Sequence, residues 1–187
     1  MLPDGRVIIE GGEYNALTPT WTNQGAIYDP VADRWTLVAP PAGWTTIGDA
    51  PGAVLANGTF MLGDCCTVEA ALLDQRSLTW TPIDTGKFDV NNEEGWTLLA
   101  SGKLLTVDDY VPATIPYEPA GTNSELFSPW SGVWQSAGST VSQLWDPWLN
   151  CGQLSQEPTN GPTFEVGPGV LRPGGTDFYM RRTTAIS

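Results

Sequence analysis

The sequence predicts an all-β fold of repeated four-stranded antiparallel units, and three observations carry that prediction. First, an aromatic or aliphatic residue stands seven positions before a tryptophan three times, in Tyr28 and Trp35, Leu73 and Trp80, and Phe127 and Trp134. Second, a leucine, a polar-Gly turn and an apolar run recur as Leu2-Pro3-Asp4-Gly5-Arg6-Val7-Ile8, Leu55-Ala56-Asn57-Gly58-Thr59-Phe60-Met61 and Leu99-Ala100-Ser101-Gly102-Lys103-Leu104-Leu105, and more loosely from Leu171 to Tyr179. Third, the turn glycines Gly5, Gly58 and Gly102 lie 53 and 44 residues apart, and the tryptophans 45 and 54 apart. A period of about 40–50 residues is that of a β-propeller blade.

The strands of a unit follow from their patterns. Gly52 to Leu55 and Gly95 to Leu99 are short and small-to-apolar, as an innermost strand near a crowded axis must be. After the polar-Gly turn comes an apolar run, Val7-Ile8-Ile9, Phe60-Met61-Leu62 or Leu104-Leu105-Thr106-Val107, suited to burial between neighbouring blades. A third strand, Ala26-Ile27-Tyr28, Ala71-Leu72-Leu73 or Glu125-Leu126-Phe127, ends in a turn such as Asp29 to Asp33. The fourth carries Trp35, Trp80 or Trp134. Four antiparallel strands make one propeller blade, and the recurring tryptophans are expected to pack blade on blade.

With its apolar run, its Gly11-Gly12 pair and its Tyr28-to-Trp35 spacing, the unit resembles the kelch repeat. The whole chain is similar to the kelch-type propeller domain of the galactose oxidase class. The other units depart from that pattern, with Gly63-Asp64 and Val107-Asp108 at the glycine pair, and Leu73 and Phe127 for the tyrosine. The resemblance implies a fold in which the propeller serves more often as a binding scaffold than as a catalyst.

Counting strands gives three of a first blade (1–38), four each in the blades at 39–83 and 84–137, an insertion at 138–162, and two strands at 163–187. Propellers have four to eight blades. The expectation is therefore an incomplete kelch-type β-propeller of about 3 to 3.5 blades in one partial domain, with Met1 and Ser187 both read as truncations. Missing blades of a parent propeller, or a second copy, would complete it.

Composition narrows the function. The 187 residues carry 8 basic and 21 acidic side chains, a net charge of -13. That field repels phosphate backbones and anionic membranes, so neither nucleic acid nor membrane insertion is expected. No apolar run approaches the ~20 residues of a membrane helix, and no signal peptide is visible. The chain has no histidine. It cannot assemble a Ser-His-Asp or Cys-His nucleophile, nor the His and Tyr copper site that the resemblance would imply. Three cysteines fall short of a zinc site. One bridge from the pair Cys65-Cys66 to Cys151, with Cys66 and Cys151 carried as candidates, would suit an extracellular or periplasmic setting; the alternative is three reduced thiols.

Carboxylates remain as candidate chemistry. Aligning the inner strands on Leu55, Leu99 and Leu171 places Asp49, Glu93 and Glu165 at equivalent positions, six residues ahead. Loops entering inner strands gather at one mouth of a propeller's channel, together with the strand 2 to strand 3 loops that carry Asp64 and Asp108; Glu94 lies beside Glu93. Three readings compete for this acidic arc. Ca²⁺ could be held by Asp49, Glu93 and Glu165, two carboxylates could hydrolyse a glycosidic bond, or the acids could be solvated loop residues. Trp44, Trp96 and Trp145 near the same mouth could stack on a sugar face. The expectation is a non-catalytic binding scaffold for a carbohydrate, peptide or protein, with no cofactor beyond Ca²⁺. The alternative is part of a secreted carbohydrate-active enzyme, an oxidase or glycosidase, whose decisive residues lie outside these 187.

Overall fold

A computed structural model describes residues 1–16, 18–65, 67–91, 94–108, 122–142, 144, 169–171 and 177–179. No helix occurs among the described residues. The first sheet pairs β1 (Val7–Glu10) with β4 (Gly25–Asp29) and β4 with β5 (Arg34–Val38), all antiparallel. The second runs β6 (Gly52–Val54), β7 (Phe60–Gly63), β8 (Ala70–Asp74) and β9 (Thr79–Ile83) in sequence order. The third repeats that order with β10 (Thr97–Leu98), β11 (Leu104–Val107), β12 (Asn123–Ser128) and β13 (Val133–Ser139). A hairpin of β14 (Gly169–Leu171) and β15 (Asp177–Tyr179) follows. A second small hairpin, β2 (Tyr14–Asn15) with β3 (Thr18–Pro19), interrupts the stretch after residue 10. Its two-residue strands carry too little periodicity to be detected in the sequence.

The repeat is written in the backbone more sharply than in the side chains. At each of the three polar-Gly turns the leucine N–H donates to the carbonyl four residues on, and its own carbonyl accepts from the glycine: Leu2 with Arg6 and Gly5, Leu55 with Thr59 and Gly58, Leu99 with Lys103 and Gly102. Gly5, Gly58 and Gly102 sit at φ of 88, 85 and 81°, a left-handed conformation that costs a side chain about 1 kcal/mol or more. A second left-handed position recurs two residues before each tryptophan, at Asp33, Leu78 and Gly132. Before it, Asp29 and Asp74 cap the same turn, their carboxylates accepting backbone N–H groups of Val31 and Ala32 and of Arg76 and Ser77.

Two apolar cores lie between successive sheets. The first joins Leu2, Ile27 and Val38 of the first unit to Phe60, Leu62, Ala71 and Leu73 of the second, with Ile8 and Trp80 packed against it. The second joins Leu55, Met61 and Ala70 to Leu104, Phe127 and Trp134. Trp80 also donates its Nε1–H to the carbonyl of Ala39 at 2.7 Å, tying the second sheet to the segment leaving the first. Trp134 is buried, tilted against Phe127 at 5.4 Å. Trp35 differs from both: it is 54% exposed, stacked only on Tyr28 at 5.1 Å. It lies on the outer side of the first sheet, against which no described sheet packs, so the expectation of blade packing fails at this position among the described residues.

Glu10, at the end of β1, folds its carboxylate over Gly25, and both oxygens are buried without a hydrogen-bond partner. Desolvation pushes its pKa up to about 7. A carboxyl raised above its unfolded value binds its proton more tightly when folded. Its contribution is therefore fully present below about pH 4.5 and is lost as pH rises to about 7, at no more than ~1.4 kcal/mol per pH unit. Glu10→Gln is expected to flatten the stability profile across that window, read as the difference in urea midpoint between variant and parent from pH 4 to pH 8. Parallel profiles would show that Glu10 ionises freely.

Candidate functional site

Strand order dictates where the acids collect. The turns at 55–59 and 75–78 close one edge of the sheets, so the link 39–51, the described parts of the links 64–69 and 84–96, and Asp108 after β11 all lie at the other. These links are knitted together. Gly12 N–H donates to Gly48 O, and Ile47 and Gly48 N–H both donate to Thr22 O. Asn91 donates its backbone N–H to Thr67 O, and its side-chain amide to Thr67 O and Glu69 O.

On this edge the link 84–96 descends over the third sheet and builds a buried ionic cluster. Lys87 Nζ lies 2.7 Å from Glu94 Oε1 and 3.2 Å from Glu125 Oε2, and donates to the Asp89 carbonyl. The ammonium lies 5.6 Å from the centroid of the Trp134 ring, in cation–π contact. Glu125 also accepts from the backbone N–H groups of Phe88 and Asp89. Glu94 Oε2 accepts from the Thr106 hydroxyl and the Trp96 indole N–H. Asp108 Oδ2 accepts from the Asn123 amide, whereas its Oδ1 is buried with no donor. Lys87, Asp89, Glu94, Asp108 and Glu125 are all buried.

Four buried carboxyl groups thus gather around one ammonium, which pairs with Glu94 and Glu125. Burial alone would lower the Lys87 pKa, but Glu94 and Glu125 outweigh it and hold it above the usual lysine value. Desolvation pushes Glu94 up to about 8, against the pull of Lys87 and with the repulsion of Asp89. Asp108 rises to about 7 for the same reason, reinforced by Glu125. One cation cannot neutralise four neighbours.

The expected site residues divide accordingly. Glu94 and Asp108 come together, but inside the protein and not on an open mouth. Asp64 is half-buried and accepts from the Thr67 hydroxyl, and Asp49 is half-buried with a shielded, donor-free Oδ1. Trp44 and Trp96 are corrected as sugar platforms. Trp44 is core, its Nε1–H given to Glu69 at 3.1 Å. Trp96 is half-buried against Trp134, 5.6 Å between ring centroids. Indoles at the mouth of a link are drawn into the gap between sheets because that gap supplies apolar area and a nearby carboxylate. Glu93, Glu165 and Trp145 lie outside the described residues, and with them the Asp49, Glu93 and Glu165 arrangement for Ca²⁺. Cys65 is buried and disulfide-bonded. A Cys66–Cys151 bridge is therefore corrected, since Cys65 must itself be one end, with its partner outside the described residues.

Sequence reasoning missed Lys87, Asp89 and Glu125. Glu125 had a signal: it stands in the third strand where the other units have Ala26 and Ala71. A charge at a position that repeats as alanine marks a local polar network. Trp21 is 55% exposed and lies against Gly48, the residue before Asp49.

Sheets of this kind are those of β-propeller blades, and comparison with solved structures agrees. The chain is similar to a novel fungal alcohol oxidase of the AA5 family, solved in complex with copper, with a TM-score of 0.57 and 15% identity. The match covers 78% of this chain and 31% of the oxidase, so the chain spans about a third of that protein's length. No family model matches, and no curated protein matches. The likeness extends to the fold. The donor set of this chain does not fit copper: it has no histidine, and its buried cluster offers hard oxygens and an ammonium. No helix among the described residues is long and apolar enough to cross a membrane.

Proposed function

We propose that this chain is a non-catalytic, kelch-type propeller segment that binds a carbohydrate, or a peptide or protein partner, at the edge where the links gather. The observation that carries the reading is Trp21, an indole more than half exposed on that edge and lying against Gly48, the residue before Asp49. A flat, exposed apolar ring matches the apolar C–H face of a sugar. The buried cluster over the third sheet serves to hold the described part of the link 84–96 in place rather than to react. Further blades or a second copy complete the ring by covering Ile9, Trp35 and Leu37, which are exposed on the first sheet. The disulfide at Cys65 supports an extracellular or periplasmic location.

The test is a tryptophan-fluorescence titration with soluble galactans and with galactose. Saturable binding by the parent chain is expected, weakened about tenfold or more by Trp21→Ala, a loss of ~1.4 kcal/mol or more. Binding unchanged by that substitution would remove the edge as the site. Peroxide formation from galactose after copper loading would favour the enzyme-fragment alternative and end the scaffold reading.

A further inference from the structure

We propose that Asp89, Glu94 and Asp108 form a binding site for a hard divalent cation of the Ca²⁺ class, buried where the link 84–96 meets the third sheet. One carboxylate oxygen from each of the three lies within 4.8 Å of the others. Oxygens sharing a Ca²⁺ ion at 2.3–2.6 Å stand up to about 5 Å apart, so the three fit one coordination sphere. All three residues are buried, and such groups are tolerated in proteins when paired or when they coordinate metal.

The lysine does not fill this role. Lys87 directs its three donors at Glu94, Glu125 and the Asp89 carbonyl, leaving Asp108 without a share of it. Four buried carboxyl groups gather around one ammonium, whose ion pairs are with Glu94 and Glu125. The second observation is Asp108 Oδ1, fully buried and without a donor. On the same link as Asp89 and Glu94, the Asn91 side-chain oxygen is likewise buried with no donor. Acceptors without donors call for a cation, and an all-oxygen set selects a hard one over zinc or copper. Occupation would lock the link 84–96 to the strand end at Val107 and so rigidify one side of the loop-bearing edge.

The experiment uses the whole chain, stripped with a chelator at pH 8, where the site competes least with protons. Saturating Ca²⁺ is expected to raise the melting temperature by about 5 °C or more relative to chelator. Tb³⁺ is expected to luminesce on tryptophan excitation, because Trp96 bonds directly to Glu94. Asp108→Asn, nearly isosteric, is expected to weaken Tb³⁺ binding at least about tenfold, whereas Asp74→Asn, on an exposed turn, leaves it unchanged. A parent chain that neither gains melting temperature nor sensitises Tb³⁺ overturns the proposal, whatever the variants do. Equal loss in both variants also overturns it, since the ions would then be attracted only by the net charge of -13. If Asp108→Asn fails to fold, the parent measurements alone decide.

Discussion

Lys87→Met is expected to lower the unfolding free energy by about 3–5 kcal/mol, the cost of removing one partner from a buried ion pair. The ammonium holds Glu94 at 2.7 Å and Glu125 at 3.2 Å with both side chains almost fully buried. Methionine fills the stem's volume but leaves Glu94 and Glu125 without the cation they pair with, so the deficit is electrostatic rather than a cavity. Urea unfolding in chelator at pH 7 measures it. Arg76→Met, at an exposed turn, serves as the comparison and is expected to stay within ~0.5 kcal/mol. A Lys87→Met chain as stable as the Arg76 variant would mean that the acids are already neutral and that no ionic cluster exists.

The second large effect is Trp134→Ala, expected to cost about 3–5 kcal/mol. Its indole is buried at the centre of the second core, against Phe127 and Trp96 and under the Lys87 ammonium. Deleting it opens a cavity touching both the apolar core and the charged cluster, where collapse is hindered by the paired groups above. Trp35→Ala, at the same repeat position, is expected to cost less than about 1 kcal/mol because the ring is half in water. Trp80→Ala falls between, losing its contact with Phe60 and the hydrogen bond to Ala39. Equal losses at all three positions would show that repeat position alone sets the energetics.

Much of the architecture was legible. Val7, Phe60 and Leu104 begin the second strands as their apolar runs imply, and Tyr28, Leu73 and Phe127 face Trp35, Trp80 and Trp134 across antiparallel pairs. The sheets of three, four, four and two strands follow the counted order, with the hairpin at 14–19 added. The candidate site was legible only in part. Glu94 was reached as the neighbour of Glu93 and Asp108 through the strand 2 to strand 3 loops, yet their exposure was misjudged. Nothing in a linear pattern shows that Lys87 folds back across 38 residues to Glu125. Trp44 and Trp96 were misread for the same reason: a tryptophan in a loop looks available until a neighbouring sheet covers it.

By itself the sequence determined the strand type, the repeated turn and the edge on which Asp49, Asp64, Glu94 and Asp108 lie, because side-chain alternation and turn glycines act within a few residues of one another. It also determined that no histidine-based chemistry can arise here. Only the tertiary structure decided which acids are buried together, which tryptophans are core and which, such as Trp21, face solvent. Those outcomes depend on distances between segments far apart in the chain, and the low dielectric between sheets turns a scattered set of ordinary carboxylates into one strongly coupled cluster.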